Sequence, residues 1–435
     1  MVLVYTHKIT PRLTYVFKQV FTRILLLPVE FTTHKIAFMS YDGMKLSYTK
    51  QPLEDEIFIR CTDLLYSHGI DHIEPSISDW DEVPCFFQVS APSMIPFDLF
   101  AASFFLLSRY EEYMPHVRDE HERFTAVESF AYRKKFIEKP VVDIWAYKLR
   151  EILKKRYPDQ QFEKRSFKYL STIDIDLAYM YKYKGFMRHV GGIVKDIAEL
   201  QFQKIVERFL IVFNFKKDPY DVYDYILRLH EKHEVELIFF FLLGEYNNFN
   251  KNISVNNSKF KRLIKEMADY VGIGVHPSYY TMKDDEKMKN EKKMLESILN
   301  SQVYRSRQHF LRIDLPETYQ HLIDLGITED YTMGFAKHYG FRAGTCTPFY
   351  FYDLDFEIQT PLKIFPFAVM DGTLKDYLNL TTKKSFETIE KLVEEVKKVD
   401  GTFITIFHNE SLSGTGRWHN WDKKFEEFLD GIGKN

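Results

Sequence analysis

Two carboxylates, Asp174 and Asp176, stand two residues apart at the end of an apolar run, Ser171-Thr-Ile-Asp-Ile-Asp-Leu-Ala-Tyr179. In an extended strand, residues i and i+2 face the same side, so this spacing sets two like charges side by side at the edge of a core. Either one carboxyl keeps a proton or a cation offsets the repulsion. Other polar or titratable side chains also stand at the ends of apolar runs. His276 closes Val271-Gly-Ile-Gly-Val-His276, His309 follows Ser306-Arg-Gln308, and Asp330 follows Gly326-Ile-Thr-Glu329. Arg342 lies in Gly340-Phe-Arg-Ala-Gly344, and His408 closes Thr402-Phe-Ile-Thr-Ile-Phe-His408. Each has a plainer reading: a hydrogen-bonded structural histidine, aspartates that cap a helix, an arginine in an ion pair. Taken together, they could hold a divalent cation on aspartate oxygens and histidine nitrogens at about 2.0–2.2 Å. Such a cation relieves the carboxylate repulsion and lowers the pKa of a bound water toward about 7. A carboxylate off the ion then serves as base, and a histidine across the site protonates a leaving amine. That chemistry is the hydrolysis of an amide or ester.

Residues so far apart meet only if short parallel strands carry them to one place. From about residue 166 the sequence has that texture. Apolar runs at 169–175, 236–242, 272–275, 303–308, 326–331, 340–344 and 402–407 alternate with amphipathic stretches at 220–233, 259–270, 284–299 and 385–399. The alternation argues for parallel α/β architecture, whose strand C-termini open on one mouth. Seven strands suit a small, irregular barrel as well as an open sheet. The earlier residues read differently. Lys35–Tyr41 alternates, meets Asp42-Gly43 and runs into Lys45–Tyr48, which predicts a hairpin. Phe97–Tyr113 and Val142–Tyr157 predict helices, the first with Asp98 near its start and the second ended by Pro158. The expectation is a smaller α+β domain over residues 1–165 and the α/β domain over 166–435. The N-terminal part carries no chemical motif, and Pro115–Phe124 (PHVRDEHERF) reads as a charged loop.

The 435 residues are 45% hydrophobic and 28% charged, a globular balance. A formal net charge of −3 offers nucleic acid no global field. The basic runs Lys182, Lys184, Arg188 and Lys216, Lys217 are short and read as solvated faces. Cys61, Cys85 and Cys346 are too scattered for a disulfide framework or a cysteine zinc site, which fits a reducing compartment. No secretory leader pattern is visible, and no apolar run reaches the roughly 20 residues of a membrane span. The expected address is the cytoplasm.

With these residues in view, the sequence resembles the polysaccharide deacetylase family, the NodB-homology domains of carbohydrate esterase family 4, over roughly residues 166–435. More narrowly, it resembles a bacterial branch in which an uncharacterised N-terminal domain precedes the deacetylase-like one. The segments carrying the resemblance are DLFAASFFLLSRYEEY, STIDID, IGVHPSYYT, RQHFLRIDLPETY, DYTMGFAKHYGFRAGTCTPFYFYDL and FHNESLSG. The resemblance implies a distorted (β/α) barrel of about seven strands after a smaller α+β domain. It also implies a divalent metal, commonly zinc, with cobalt, nickel or manganese as substitutes. The implied reaction is removal of an N-acetyl or O-acetyl group from an amino-sugar or polysaccharide precursor.

The family's T-F-D-D-G motif corresponds to Thr172-Ile-Asp-Ile-Asp176, which makes Asp174 the base and Asp176 a metal ligand; the glycine that follows is missing. H-[S/T]-x-x-H corresponds to His276-Pro-Ser-Tyr-Tyr280. His276 is then a metal ligand, but Tyr280 stands where a second histidine belongs, and tyrosine, with an ordinary pKa of about 10, is a poor ligand. R-x-P-[YF] corresponds to Arg307-Gln-His-Phe310, with Arg307 bracing Asp174 and His309 in the proline's place. His309 can supply the missing imidazole, bind substrate, or bond a backbone carbonyl. L-x-H corresponds to Phe407-His-Asn409, with His408 the general acid and Asp330 the carboxylate that orients it. Arg342, Tyr280 and Tyr350 are candidate substrate contacts, with a core role open for the aromatic run 349–352. Two other functions fit the same residues: a catalytically inactive carbohydrate-binding or scaffold protein, and a metal-dependent amidase or deformylase on a non-polysaccharide substrate.

Overall fold

Residues 1–432 are described by a computed structural model. Strands β1 (Val2–Tyr5), β2 (Val29–Thr32), β3 (Met44–Thr49) and β4 (Ile57–Arg60) form a parallel sheet in the order β2-β1-β3-β4. The crossover from β1 begins with helix Pro11–Phe17, where proline occupies the first turn and Thr10 accepts from Leu13 N. The predicted hairpin at 35–48 does not form. Lys35–Met39 is a helix that buries only Phe38, and β3 pairs in parallel with β1. The apparent alternation had no buried face behind it, and Ile36 is 85% exposed. Lys45 Nζ caps this helix on the carbonyls of Phe38, Met39 and Tyr41. Strands β5 (Ile77–Trp80) and β6 (Val83–Phe86) make a separate antiparallel pair.

Helices Leu99–Leu107 and Val141–Arg156 follow the two predicted stretches. Asp98 caps the first, accepting from Ala101 N, and also accepts from Tyr48 and Thr62.

The second sheet is mixed, with nine strands in the order β12-β13-β11-β10-β9-β8-β7-β15-β14. They are β7 (Lys168–Ile175), β8 (Glu236–Leu242), β9 (Gly272–His276), β10 (Arg305–Ser306), β11 (Glu329–Asp330), β12 (Phe349–Asp353), β13 (Ile358–Ile364), β14 (Val369–Met370) and β15 (Thr402–His408). All neighbours run parallel except β12 with β13. Among the described residues no ladder joins β12 to β14, so the sheet does not close by hydrogen bonding. It is nonetheless strongly curled. Flat strands lie about 4.8 Å apart, yet the Tyr331 ring, just past β11, sits 5.3 Å from that of Phe240 on β8, three strands away. An inner cluster of Leu170, Ile238, Phe240, Tyr331, Ile404 and Ile406 fills the concavity.

The expected strand at 340–344 is a turn instead. Gly340 and Gly344 have φ of +118° and +64°, and a Cβ on Gly340 would meet the Ile137 carbonyl. The segment's backbone bonds to Ile137, Val142 and, through Gly340 N, the Ala368 carbonyl just before β14, without forming a strand ladder. One hydrophobic core runs through the first 165 residues and the second sheet's outer face.

Candidate metal and acid–base centre

Strand register builds the site. Asp174 on β7 is level with His408 on β15, and Leu242 on β8 is level with His276 on β9. The C-terminal strand ends thus share one rim, where Asp176 follows β7 by a single residue. His276 Nε2 lies 3.2 Å from Asp176 Oδ1, His309 Nε2 lies 3.3 Å from Asp176 Oδ2, and His408 Nε2 lies 3.6 Å from the same Oδ2. One ligand atom from each of Asp176, His276 and His309 falls within 4.8 Å of the others.

The far side of each ring is fixed. His276 Nδ1 donates to the Arg307 carbonyl at 2.6 Å. A carbonyl only accepts, so in the neutral ring Nε2 keeps its lone pair toward Asp176. His309 Nδ1 donates to Asn250 Oδ1 at 3.2 Å, with the same result. His408 Nδ1 donates to Asp371 Oδ1 at 2.8 Å, and its backbone N–H donates to Asp371 Oδ2 at 2.7 Å.

His309 reaches the site through an uncommon backbone. Phe310 and Leu311 both hold positive φ, +61° and +56°, a region that ordinarily favours glycine. Arg123 donates to the Phe310 carbonyl at 2.9 Å and supports this turn.

Asp174 is held by Arg307, whose Nη1 donates to Oδ1 at 2.8 Å. Arg307 is fully buried, bonds the Tyr331 carbonyl through Nε and lies 4.5 Å over the Phe240 ring. Electrostatics separate the histidines. Burial pulls His309 down despite Asp176 nearby, which favours the neutral ring. Burial also opposes charge on His276, but Asp174 and Asp176 outweigh it and raise that ring. For His408, burial is outweighed by Asp371, with Asp176 and Asp174 beyond, and the ring rises well above the usual histidine range.

A divalent cation fits these residues. Asp176 Oδ1 is buried with no hydrogen-bond partner, and His276 approaches it without hydrogen-bond alignment. Two carboxylates facing one imidazole call for positive charge between them, which an ion could supply in place of a proton. One carboxylate oxygen and two imidazole nitrogens form a three-ligand set that leaves positions open for water and substrate.

Several expected contacts lie elsewhere. Asp330 does not approach His408. It is fully buried and accepts from Ser306 Oγ at 2.8 Å, Thr332 N at 2.9 Å and Thr332 Oγ1 at 2.7 Å, so it ties β10 to β11. The carboxylate on His408 is Asp371, directly after β14. Arg342 is 2% exposed and committed to Glu112, so it cannot meet a substrate in the cavity. Tyr280 turns outward, 47% exposed, with Lys287 Nζ 5.8 Å from its ring. Tyr350 borders a different groove, where the Arg23 guanidinium stacks 4.6 Å over it.

The site opens into a cavity of about 380 Å³. Its wall includes side chains that the sequence did not single out: Arg123, Gln308, Phe249, Arg417 and Trp418. Gln308 is 2% exposed, and its amide nitrogen has no partner. Arg417 bridges Asp376 and Glu410 on the rim. Arg123 belongs to the stretch read as a charged loop. That loop is docked on the site's shoulder by Arg312–Glu122 at 2.7 Å and by His121 Nδ1 with Tyr279 Oη at 3.0 Å.

Residues 2–158 match a family of unknown function (DUF7033). The sequence has no significant match among curated proteins. Among solved structures, the chain is similar to a protein from Mycobacterium smegmatis assigned as a polysaccharide deacetylase. That match has 13% identity and a TM-score of 0.39, and covers 62% of this chain and 85% of that one. It is also similar to the polysaccharide deacetylase Bc1974 from Bacillus cereus, at 11% identity and a TM-score of 0.31, over 61% and 89% of the two chains. A third similar structure is BA3943 from Bacillus anthracis, a CE4 family pseudoenzyme, at 12% identity and a TM-score of 0.29, over 62% and 63%.

Proposed function

We propose that this protein is a metal-dependent hydrolase that removes an acyl group, first of all N-acetyl, from an amino-sugar substrate. The observation that carries the reading is the convergence of Asp176, His276 and His309 around a buried carboxylate oxygen that has no partner. Those three residues would hold the cation, and their oxygen and nitrogen donors suit zinc first. When bound, such an ion lowers the pKa of a water and polarises an acyl oxygen.

The chain's own groups supply the proton chemistry. Asp174 takes the proton as the water oxygen bonds to the acyl carbon, with the Arg307 hydrogen bond aiming the carboxylate. His408, protonated and braced by Asp371, gives its proton to the amine nitrogen as the C–N bond breaks. The products are acetate and a free amine. The choice of an amino sugar rests on the resemblance of STIDID, IGVHPSYYT and RQHFLRIDLPETY to deacetylase motifs. A carbohydrate-binding protein without activity would not need His309 on Asp176 or Asp371 behind His408.

The test is metal binding followed by acetate release. Purified protein should take up about one zinc or cobalt ion, and Asp176→Asn or His309→Ala should weaken uptake by at least about tenfold. Metal-loaded protein should release acetate from N-acetylated amino-sugar oligomers, and Asp174→Asn should abolish release while the ion still binds. Absence of uptake, or uptake indifferent to Asp176 and His309, rejects the reading.

A further inference from the structure

Helices Phe186–Ala198 and Phe202–Val212 form a hairpin whose two arms pack on each other. Its polarity is inverted for a soluble helical pair. The inner side holds an ion pair next to the fully buried Ile211: Arg208 Nη2 bonds Asp196 Oδ2 at 2.7 Å, and the guanidinium lies 4.8 Å over the Tyr181 ring. Gly192 lets the arms meet there, since a Cβ would come within 2.6 Å of the Arg208 nitrogens. The outer side is apolar. Phe202, Val206, Phe209 and Phe213 recur at helical spacing, a single stripe that faces solvent. Phe186, Met187 and Phe215 are 79%, 78% and 81% exposed. At about 200 Å² for an open ring, the five phenylalanines alone expose roughly 600 Å². That equals the largest apolar patch of a typical monomer, about 300–600 Å², before any aliphatic neighbour is counted.

Charge narrows the choice of what covers this face. Between Lys182 and Lys217 stand eight basic and three acidic side chains, in a chain of net charge −3. In sequence these basic runs bracket the apolar stripe, and Lys195, Lys216 and Lys217 are exposed. A second copy of the chain would bring the same positive charge to the contact. An anionic lipid surface meets both features, taking the phenylalanines at the acyl boundary and the lysines among the headgroups.

We propose that the hairpin docks the protein on an anionic membrane surface, lying in the interface without crossing it. Among the described residues, no helix is long and apolar enough to span. The hairpin grows from the segment just after Asp176, and Leu177 and Lys251 border both the catalytic cavity and the groove beneath the hairpin. Docking thus holds the cavity beside the lipid surface. The proposal stands on the hairpin alone and does not depend on the reading of the metal centre.

Co-sedimentation of the full chain with phosphatidylcholine–phosphatidylglycerol vesicles tests it. Binding is expected there, weaker on phosphatidylcholine alone and weakened by salt. The triple variant Phe202→Ser, Phe209→Ser, Phe213→Ser should lose about tenfold or more in partitioning, with an unchanged circular dichroism melt. In a separate Phe209→Trp variant, tryptophan emission should shift to shorter wavelength on anionic vesicles. No partitioning, or partitioning that the serine variant retains, overturns the proposal. So does a dimer in sedimentation velocity that the serine variant dissociates, since a second copy would then be the occupant.

Discussion

Tyr280 occupies the position where the resembled motif has its second histidine, and its ring points to solvent beside Lys287. His309 instead brings Nε2 to Asp176 from the next strand over. Tyr280→Phe should therefore leave metal stoichiometry and affinity unchanged, which calorimetric titration with zinc checks; a lost site would put the hydroxyl back among the ligands. Asp371 is the other residue whose role depends on geometry. Two bonds tie it to His408, and its charge is the leading cause that keeps His408 protonated against burial. Under the proposed function His408 is the general acid and must carry its proton, so activity should fall as pH rises through the pKa of His408. Removing the carboxylate lowers that pKa. Asp371→Asn should move the alkaline limb of the kcat–pH profile to lower pH and reduce kcat by about 10²-fold or more, without changing metal content. An unmoved limb would dissociate His408 from the proton transfer.

At the scale of elements, what could be read in the sequence follows from how much of each signal was local. Strands β7, β9 and β15 are mainly apolar runs that end in or beside polar residues, so Asp174, His276 and His408 could be placed at strand ends from the string alone. Strands β10, β11 and β14 have only two residues each. Too short for periodicity, they concealed Asp371, and Asp330 took its place in the reading because it also follows an apolar run. The turn at Gln308–Leu311 has no glycine to advertise its positive φ; tertiary contacts, including Arg123 on Phe310, hold it. Asn250 lies in the loop after β8, where its carbonyl receives both His309 Nδ1 and Tyr279 N. Such outer partners orient ligating rings. Asn250→Leu should lower zinc affinity about 10- to 100-fold with little change in the thermal melt, and equal affinity would mean that packing alone aims His309.

Over the whole molecule, the first 165 residues and the second sheet are joined by buried charge as well as by core. Arg109 Nε and Arg342 Nε both donate to Glu112 Oε1, at 2.7 and 2.8 Å, while Arg342 Nη2 donates to Oε2 at 2.6 Å. Arg109 also donates to the Arg342 carbonyl and, at 2.7 Å, to Glu111. Arg342 was a candidate substrate contact because an arginine near a strand end looks like an anion clamp. No local signal distinguishes that use from a bond to a glutamate 230 residues away. Breaking such a pair leaves an uncompensated buried charge, so Arg342→Ala should cost about 3–5 kcal/mol in urea unfolding. The same cluster sets an acid limit. Burial alone would raise Glu112, but Arg342 and Arg109 outweigh it and hold the carboxyl at about 2 rather than its ordinary 4.5. A folded pKa below the unfolded one means that the contribution is complete above about 4.5 and is lost as pH falls toward about 2. By linkage the loss amounts to roughly 3 kcal/mol. Unfolding free energy measured across that window should fall steeply in the wild type and less steeply in Glu112→Gln, which is weaker at neutral pH but has no proton to take up. Parallel slopes in the two proteins would show that Glu112 is not the group whose titration limits acid stability.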